Sequence, residues 1–317
     1  MKISVVVPVY NEEENVELLY KKIKDVMIKN KYEHEIIFVD DGSRDKTFEI
    51  MKRIAQKDND FKVIKFRRNF GQTSAMAAGF DYATGDIIVS MDGDLQNDPE
   101  DIPKLLEKLE EGYDVVSGWR KDRQDETKRV VLSKVANWLI GKITKVRLHD
   151  YGCSLKAYNS DVAKNLHMYG ELHRFIPVLA NIYGAQITEI PVRHHKRQFG
   201  KSKYNLTRTF RVIVDLILMY FMQKFMTRPI HFFGIAGFFL FVLGFSIDAY
   251  LAFEKIFFGI NIGNRPLLLM GVLFIISGIN LGGIGIISEF LTRIYYESQN
   301  KKIYNIKTTI NINEKTH

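Results

Sequence analysis

Two carboxylates set two residues apart, Asp92 and Asp94, follow directly on the apolar run Asp86-Ile87-Ile88-Val89-Ser90-Met91. A side-chain amide, Gln96, stands two residues further on. On an extended segment, residues i and i+2 point to the same side. Asp92, Asp94 and Gln96 are therefore expected to converge as a hard oxygen donor set. Such a set suits Mg²⁺ or Mn²⁺ held mainly by carboxylates and a substrate diphosphate. Open α/β sheets bind ligands outside the carboxyl ends of their strands, which is where this set falls. Read without function, Asp-Gly-Asp is also good chemistry for an acidic surface turn.

Four further groups fall at strand ends. The first strand ends in Pro8-Val9-Tyr10-Asn11-Glu12, a ring and a carboxylate able to stack on and hydrogen-bond a nucleobase. The second ends in Val39-Asp40-Asp41-Gly42-Ser43, with carboxylates able to hold a base or ribose. After the third comes Arg67-Arg68-Asn69-Phe70-Gly71-Gln72, opening a helix whose N-terminus and arginines favour phosphate. Gly118-Trp119-Arg120 follows the fifth.

These groups need a scaffold that brings strand ends together. Strands are expected at Ile3–Val7, Glu35–Val39, Phe61–Phe66, Asp86–Met91 and Asp114–Ser117. Amphipathic helices are expected at Glu12–Lys29, Asp45–Gln56, Ala75–Ala83 and Asp101–Glu111. Near-continuous apolar strands between amphipathic helices predict an α/β fold with a mostly parallel, Rossmann-like sheet covered on both faces.

The C-terminal third changes character. Phe232–Ile247 and Leu267–Ile287 carry no charge. At 1.5 Å per residue the second run makes a helix of roughly 32 Å, the thickness of a bilayer core. Two transmembrane helices are expected, at about 230–253 and 266–288, joined by Glu254–Pro266. Gly278 and Gly282, with other glycines nearby, predict close helix packing and leave room for self-association. Asp248 is expected at the membrane interface. Asn205–Phe225 alternates apolar residues with Arg208, Arg211, Asp215 and Lys224, and reads as an amphipathic helix lying on the membrane.

The chain then divides into a catalytic domain (1–204), a juxtamembrane helix (205–228), the hairpin (229–290) and a cytoplasmic tail (291–317). The N-terminus shows no signal peptide, so the catalytic domain is expected in the cytosol of a multi-pass protein of the cell membrane. Among 317 residues, 45 Lys and Arg against 37 Asp and Glu give a net charge of +8. That surplus fits nucleic acid, phosphorylated ligands or an anionic membrane, and the apolar spans favour the membrane over nucleic acid. The single cysteine, Cys153, rules out an intramolecular disulfide and a multi-cysteine zinc site, and is expected to be a small semi-buried residue.

Val7-Pro8-Val9-Tyr10-Asn11-Glu12, Asp40-Asp41-Gly42-Ser43, Asp92-Gly93-Asp94-Leu95-Gln96 and Arg197-Gln198-Phe199-Gly200-Lys201-Ser202-Lys203-Tyr204 together resemble family 2 glycosyltransferases of the GT-A fold. More narrowly, the chain looks like the polyprenyl-phosphate glycosyltransferases of the dolichyl-phosphate mannose synthase type, in their membrane-anchored bacterial and archaeal branch. The resemblance implies an inverting transfer of sugar from a UDP- or GDP-linked donor to a polyprenyl phosphate. It places Pro8, Tyr10, Glu12, Val39 and Asp41 at the nucleoside, Gln72 among the donor-binding residues, and Asp92, Asp94 and Gln96 on the metal. Arg120 would reach the phosphates. Asp150 would stand at the acceptor, and Arg197, Ser202 and Lys203 in the basic loop that closes over donor and lipid.

A lipid phosphate is largely ionised near neutral pH, since its second pKa is about 6. Asp150 is therefore expected to orient the acceptor or the sugar more than to abstract a proton. The adjacent His194 and His195 point apart on a strand and read as basic surface, not a zinc site. The Gln-x-x-Arg-Trp motif of processive polysaccharide synthases is absent; Glu171-Leu172-His173-Arg174-Phe175 is not that motif. A silent membrane-anchored binding protein and a nucleotidyltransferase are the other readings. Glucose, mannose, N-acetylglucosamine and aminoarabinose all remain open as the sugar, and uridine is favoured over guanosine by resemblance alone.

Overall fold

The structure is a computed structural model that describes residues 1–121, 141, 144, 146–166, 168, 172–196, 229–298 and 304–312. The basic loop with Arg197, Ser202 and Lys203, and the expected juxtamembrane helix at 205–228, lie outside the described residues. The chain forms two compact units, one of residues Met1–Leu216 with Lys302–His317, the other of Ile217–Lys301.

The first unit begins with three β–α repeats: β1 (Lys2–Val9), α1 (Val16–Lys29), β2 (Glu33–Asp40), α2 (Thr47–Ala55), β3 (Phe61–Phe66) and α3 (Gln72–Tyr82). It continues through β4 (Ile87–Ser90), α4 (Ile102–Glu110), β5 (Val115–Trp119), β6 (Lys156–Asn159), α5 (Ser160–Lys164), α6 (Ile176–Ile182) and β7 (Ile187–Pro191). The strands are apolar on both faces because helices cover both. Val5, Val6 and Val7 of β1 and Ile36, Ile37 and Phe38 of β2 are all completely buried. The inward stripe of α1, with Val16, Leu19, Ile23, Val26 and Met27, follows the helical repeat and packs into this core.

The second unit is a hairpin of α7 (Pro229–Phe258) and α8 (Pro266–Ser298). Within these helices, Phe233–Phe258 and Pro266–Ser288 are long and apolar enough to cross a membrane, and few of their residues are buried in the protein. The first helix runs further than expected, so the connection is residues 259–265; Glu254 stays helical and pairs with Arg265. The helices touch through glycine. A Cβ on Gly278 would come within 2.6 Å of the Gly237 carbonyl oxygen, and one on Gly244 within 2.5 Å of that of Gly271. Asp248 packs on Gly271, so its side chain faces the partner helix.

After the hairpin the chain supplies one more strand, β8 (Ile306–Ile310), within the segment expected only as a tail. The eight-stranded sheet runs β7-β5-β6-β4-β1-β2-β3-β8. It is parallel across β4-β1-β2-β3, while β6 is antiparallel to both β4 and β5, and β8 is antiparallel to β3. Two reversals on either side of β6 leave β5 pointing the same way as β4. The ends of β1, β2, β3, β4 and β5 therefore share one edge.

Candidate active site

At that edge the backbone leaves β4 after Ser90, before Asp92. The acidic residues thus sit in a turn, with Leu95 at φ +61°, and strand alternation is not what brings them together. Side-chain braces do it instead. Asn97 Oδ1 accepts from the Asp92 backbone N–H (3.2 Å) and from the Ser154 hydroxyl (2.8 Å). Asp94 Oδ1 accepts from Gln96 N–H at 3.2 Å. Gln72, the first residue of α3, donates from Nε2 to Asp92 Oδ1 at 2.7 Å. The Asp92 carboxyl is raised above its ordinary range by burial and by the neighbouring charge of Asp94.

Two carboxylates that repel one another at the carboxyl end of a strand form a donor set that a divalent cation would neutralise, and the residues fit one. Among the described residues there is no group of three or more His, Cys, Asp or Glu side chains arranged for a metal. Gln96, expected as the third ligand, spends its amide nitrogen on the His195 carbonyl oxygen at 3.3 Å. His195 in turn donates its backbone N–H to Gln96 O (2.9 Å) and pairs with Asp98 through Nε2 (3.0 Å), so it braces the exit of the acidic turn.

The β1 and β2 ends are laced together. Asn11, at φ +54°, donates its N–H to Ser43 Oγ (2.9 Å) and accepts at Oδ1 from Arg44 N–H (2.9 Å). Glu12 accepts from Asn15 Nδ2 at 2.5 Å. Pro8 and Tyr10 are half-buried at the same edge. Val39 is completely buried inside β2, so its side chain belongs to the core and only its backbone is placed at the strand end. Asp41 is 4 % exposed and accepts from Phe70 N–H (2.6 Å) and Gly71 N–H (2.9 Å). Burial raises its pKa to about 6 in spite of those two bonds. Gly42 makes this approach possible: its φ is +75°, and a Cβ there would lie 2.5 Å from the Arg68 carbonyl carbon.

Arg120, expected to reach phosphates, is committed to Asp150. Its Nε donates to Oδ2 at 2.6 Å and its Nη2 to Oδ1 at 2.9 Å. The Arg120 and Gly152 backbone N–H groups complete the ring around that carboxylate (3.3 and 3.1 Å). Burial opposes ionisation of Asp150, but the bond to Arg120 and its charge outweigh it and hold the carboxyl below its usual range. An ionised, fully bonded carboxylate is a poor base, and its bonds fix the Arg120 guanidinium instead.

Beneath the pair lies Lys156, a buried ammonium that donates to the Cys153 and Tyr151 carbonyl oxygens and thereby pins the turn carrying Asp150. Its pKa is lowered by burial. Asn97, Ser154 and Lys156 escape a reading of the sequence because each is an ordinary polar residue outside any motif. The Cys153 thiol is buried and pushed up to about 11, which excludes it as a nucleophile.

The chain belongs to glycosyl transferase family 2, whose model matches residues 4–166. It is similar to the dodecaprenyl-phosphate galacturonate synthase of Rhizobium johnstonii, 43% identical over 97% of this chain and 92% of that protein. Among solved structures, its fold is that of glucosyl-3-phosphoglycerate synthase from Mycobacterium tuberculosis. The complex with Mn²⁺, uridine diphosphate and phosphoglyceric acid superposes with a TM-score of 0.54 at 20% identity, covering 70% of this chain and 78% of that one. The uridine-diphosphate complex gives 0.51 at 22% identity, covering 70% and 79%.

Proposed function

We propose that this glycosyltransferase moves a sugar from a nucleoside diphosphate to a polyprenyl phosphate. The observation that carries the reading is the 43% identity, sustained over 97% of the chain, to a relative named for that kind of product. The site chemistry agrees. Asp41, with Tyr10 and Glu12 nearby, holds the nucleoside. Asp92 and Asp94 would hold a divalent cation, Mg²⁺ or Mn²⁺, which would supply positive charge to the diphosphate leaving group. The acceptor phosphate oxygen attacks the anomeric carbon as its bond to the diphosphate breaks, which inverts that centre. Asp150 holds the Arg120 guanidinium in place, and that fixed cation orients the acceptor phosphate. Arg197, Ser202 and Lys203 supply cationic and hydroxyl contacts to the phosphates.

A lipid substrate needs an enzyme at the membrane, and α7 and α8 have the length and composition to cross one. We read the protein as multi-pass in a bacterial cell membrane with its site on the cytosolic side. Residues on both sides of the hairpin belong to one folded unit, which supports two crossings. Gly237, Gly244, Gly271 and Gly278 are used within the hairpin, so self-association would need another surface.

Galacturonate, the sugar in the relative's name, lies outside those the sequence left open and is the first donor to test. Purified protein in detergent is given polyprenyl phosphate, Mg²⁺ or Mn²⁺ and a panel of labelled UDP- and GDP-sugars that includes UDP-galacturonate. Label passing into the organic phase, lost with chelator and in Asp94→Ala, is the expected result. Release of nucleoside diphosphate without lipid labelling would overturn the acceptor assignment.

A further inference from the structure

β3 would be the edge of the sheet were it not for β8, and β8 grips it at both ends. At one end the Asn311 carboxamide donates to the carbonyl oxygens of Ala55 (2.8 Å), Asp58 (3.1 Å) and Phe61 (2.9 Å). At the other, Tyr304 is 9 % exposed and stacks on Phe66, with centroids 5.4 Å apart and planes 11° apart. Its hydroxyl donates to Asp81 Oδ2 on α3 at 2.6 Å. Asn305 accepts twice from Arg67, at its backbone oxygen (3.1 Å) and at Oδ1 (3.0 Å). The pairing shifts register between Lys65 and Phe66, where β3 gives way to the loop.

That loop continues directly to Asp41. Phe66 meets Phe70 edge-on at 5.7 Å, Arg68 lies over the Phe70 ring at 4.3 Å, and the Phe70 and Gly71 N–H groups hold the Asp41 carboxylate. A short run of packed rings and hydrogen bonds thus joins residues beyond the hairpin to the nucleoside end of the site.

We propose that Tyr304 and Asn305 are positioning residues for donor binding: they fix the Phe66–Gly71 segment so that its backbone presents Asp41 to the nucleotide. This rests on the reading of Asp41 as the nucleoside-holding acid. A purely structural role for β8, sealing an edge against fraying or aggregation, would lower stability without singling out donor affinity.

The test uses the full chain in detergent with Mg²⁺. UDP and GDP are titrated calorimetrically, and donor KM and kcat are measured in the lipid-labelling assay. Asp41→Ala should lose most nucleotide affinity. Tyr304→Ala should weaken it by about five- to tenfold, the scale of coupling through a packed network, with kcat at saturating donor little changed. Tyr304→Phe keeps the ring stack and should bind nearly as well as the unsubstituted protein. If Tyr304→Ala does not fold, Tyr304→Leu, which keeps apolar bulk without a planar ring, should show the same loss in smaller degree. Unchanged affinity in a folded Tyr304→Ala or Tyr304→Leu, alongside loss in Asp41→Ala, overturns the positioning role. Unchanged affinity in Asp41→Ala overturns the nucleoside assignment itself. A fall in kcat with unchanged affinity also counts against the proposal.

Discussion

Arg120 and Asp150, thirty positions apart in the chain, form a two-point ion pair in which the side chains are only 13% and 8% exposed. Pairs of this kind cost more to break than they contribute, because the surviving charge is left buried. Asp150→Ala should therefore destabilise the first unit by ~3–5 kcal/mol. Replacing both partners by Leu should recover much of that loss. Denaturant unfolding of the single and double variants checks it, and an additive double variant would refute the coupling.

The same pair ranks the acids. Asp150 is already ionised and bonded, and a phosphate nucleophile needs little help from a base. Asp94→Asn removes charge from the proposed cation site and is expected to lower kcat by about 10²-fold or more, the scale of losing one electrostatic stabiliser. Asp150→Asn should cost less. Turnover at saturating substrates decides it; the reverse order would make Asp150 the more important group.

Asp41 gives a pH dependence with opposite signs for folding and for binding. Its folded pKa is raised to about 6, so the folded state holds the proton more tightly than the unfolded chain does. Its contribution to stability is therefore full below the ordinary carboxylate range and is lost as pH rises through about 6. In the proposed role of Asp41, a donor group on the nucleoside needs the ionised carboxylate, so nucleotide affinity should rise over that same interval. Calorimetric titration of UDP or GDP from pH 5 to 8, each against Asp41→Asn, separates this from titration of the nucleotide: the variant should lack the Asp41 step.

The glycines of the hairpin are not equivalent. Gly278→Val would push a side chain into the Gly237 backbone, and overpacking of that order costs roughly 1–3 kcal/mol. A Cβ at Gly283 meets nothing within 4 Å, so Gly283→Ala should be neutral or slightly stabilising. Thermal unfolding in detergent should separate the two; equal effects would argue against the observed helix contact.

What the sequence disclosed follows from how each element earns its burial. β1, β2 and β4 are read easily because they are buried on both faces and so are nearly unbroken apolar runs. β6 is hidden because it opens with Lys156, whose burial depends on carbonyl partners that only the folded turn supplies. β8 is five residues, Ile-Lys-Thr-Thr-Ile, whose β-branched character was a usable signal masked by its place behind the apolar spans. In the site, Asp92 and Asp94 stand out as types, but strand alternation does not bring them together, since the strand ends at Ser90. The links from Gln72 to Asp92 and from Arg120 to Asp150 join distant positions, and no local pattern encodes them.

The sheet also fixes an order of assembly. Domains generally fold from the N-terminus as the chain is made. Here β3 is synthesised early, whereas its outer neighbour, Ile306–Ile310, is translated only after both long apolar helices. Throughout that interval β3 presents unpaired backbone groups to the surrounding solution. The sheet is therefore complete only once the residues beyond the hairpin have been made, and a chain lacking them would leave β3 as an adhesive edge that the finished molecule conceals.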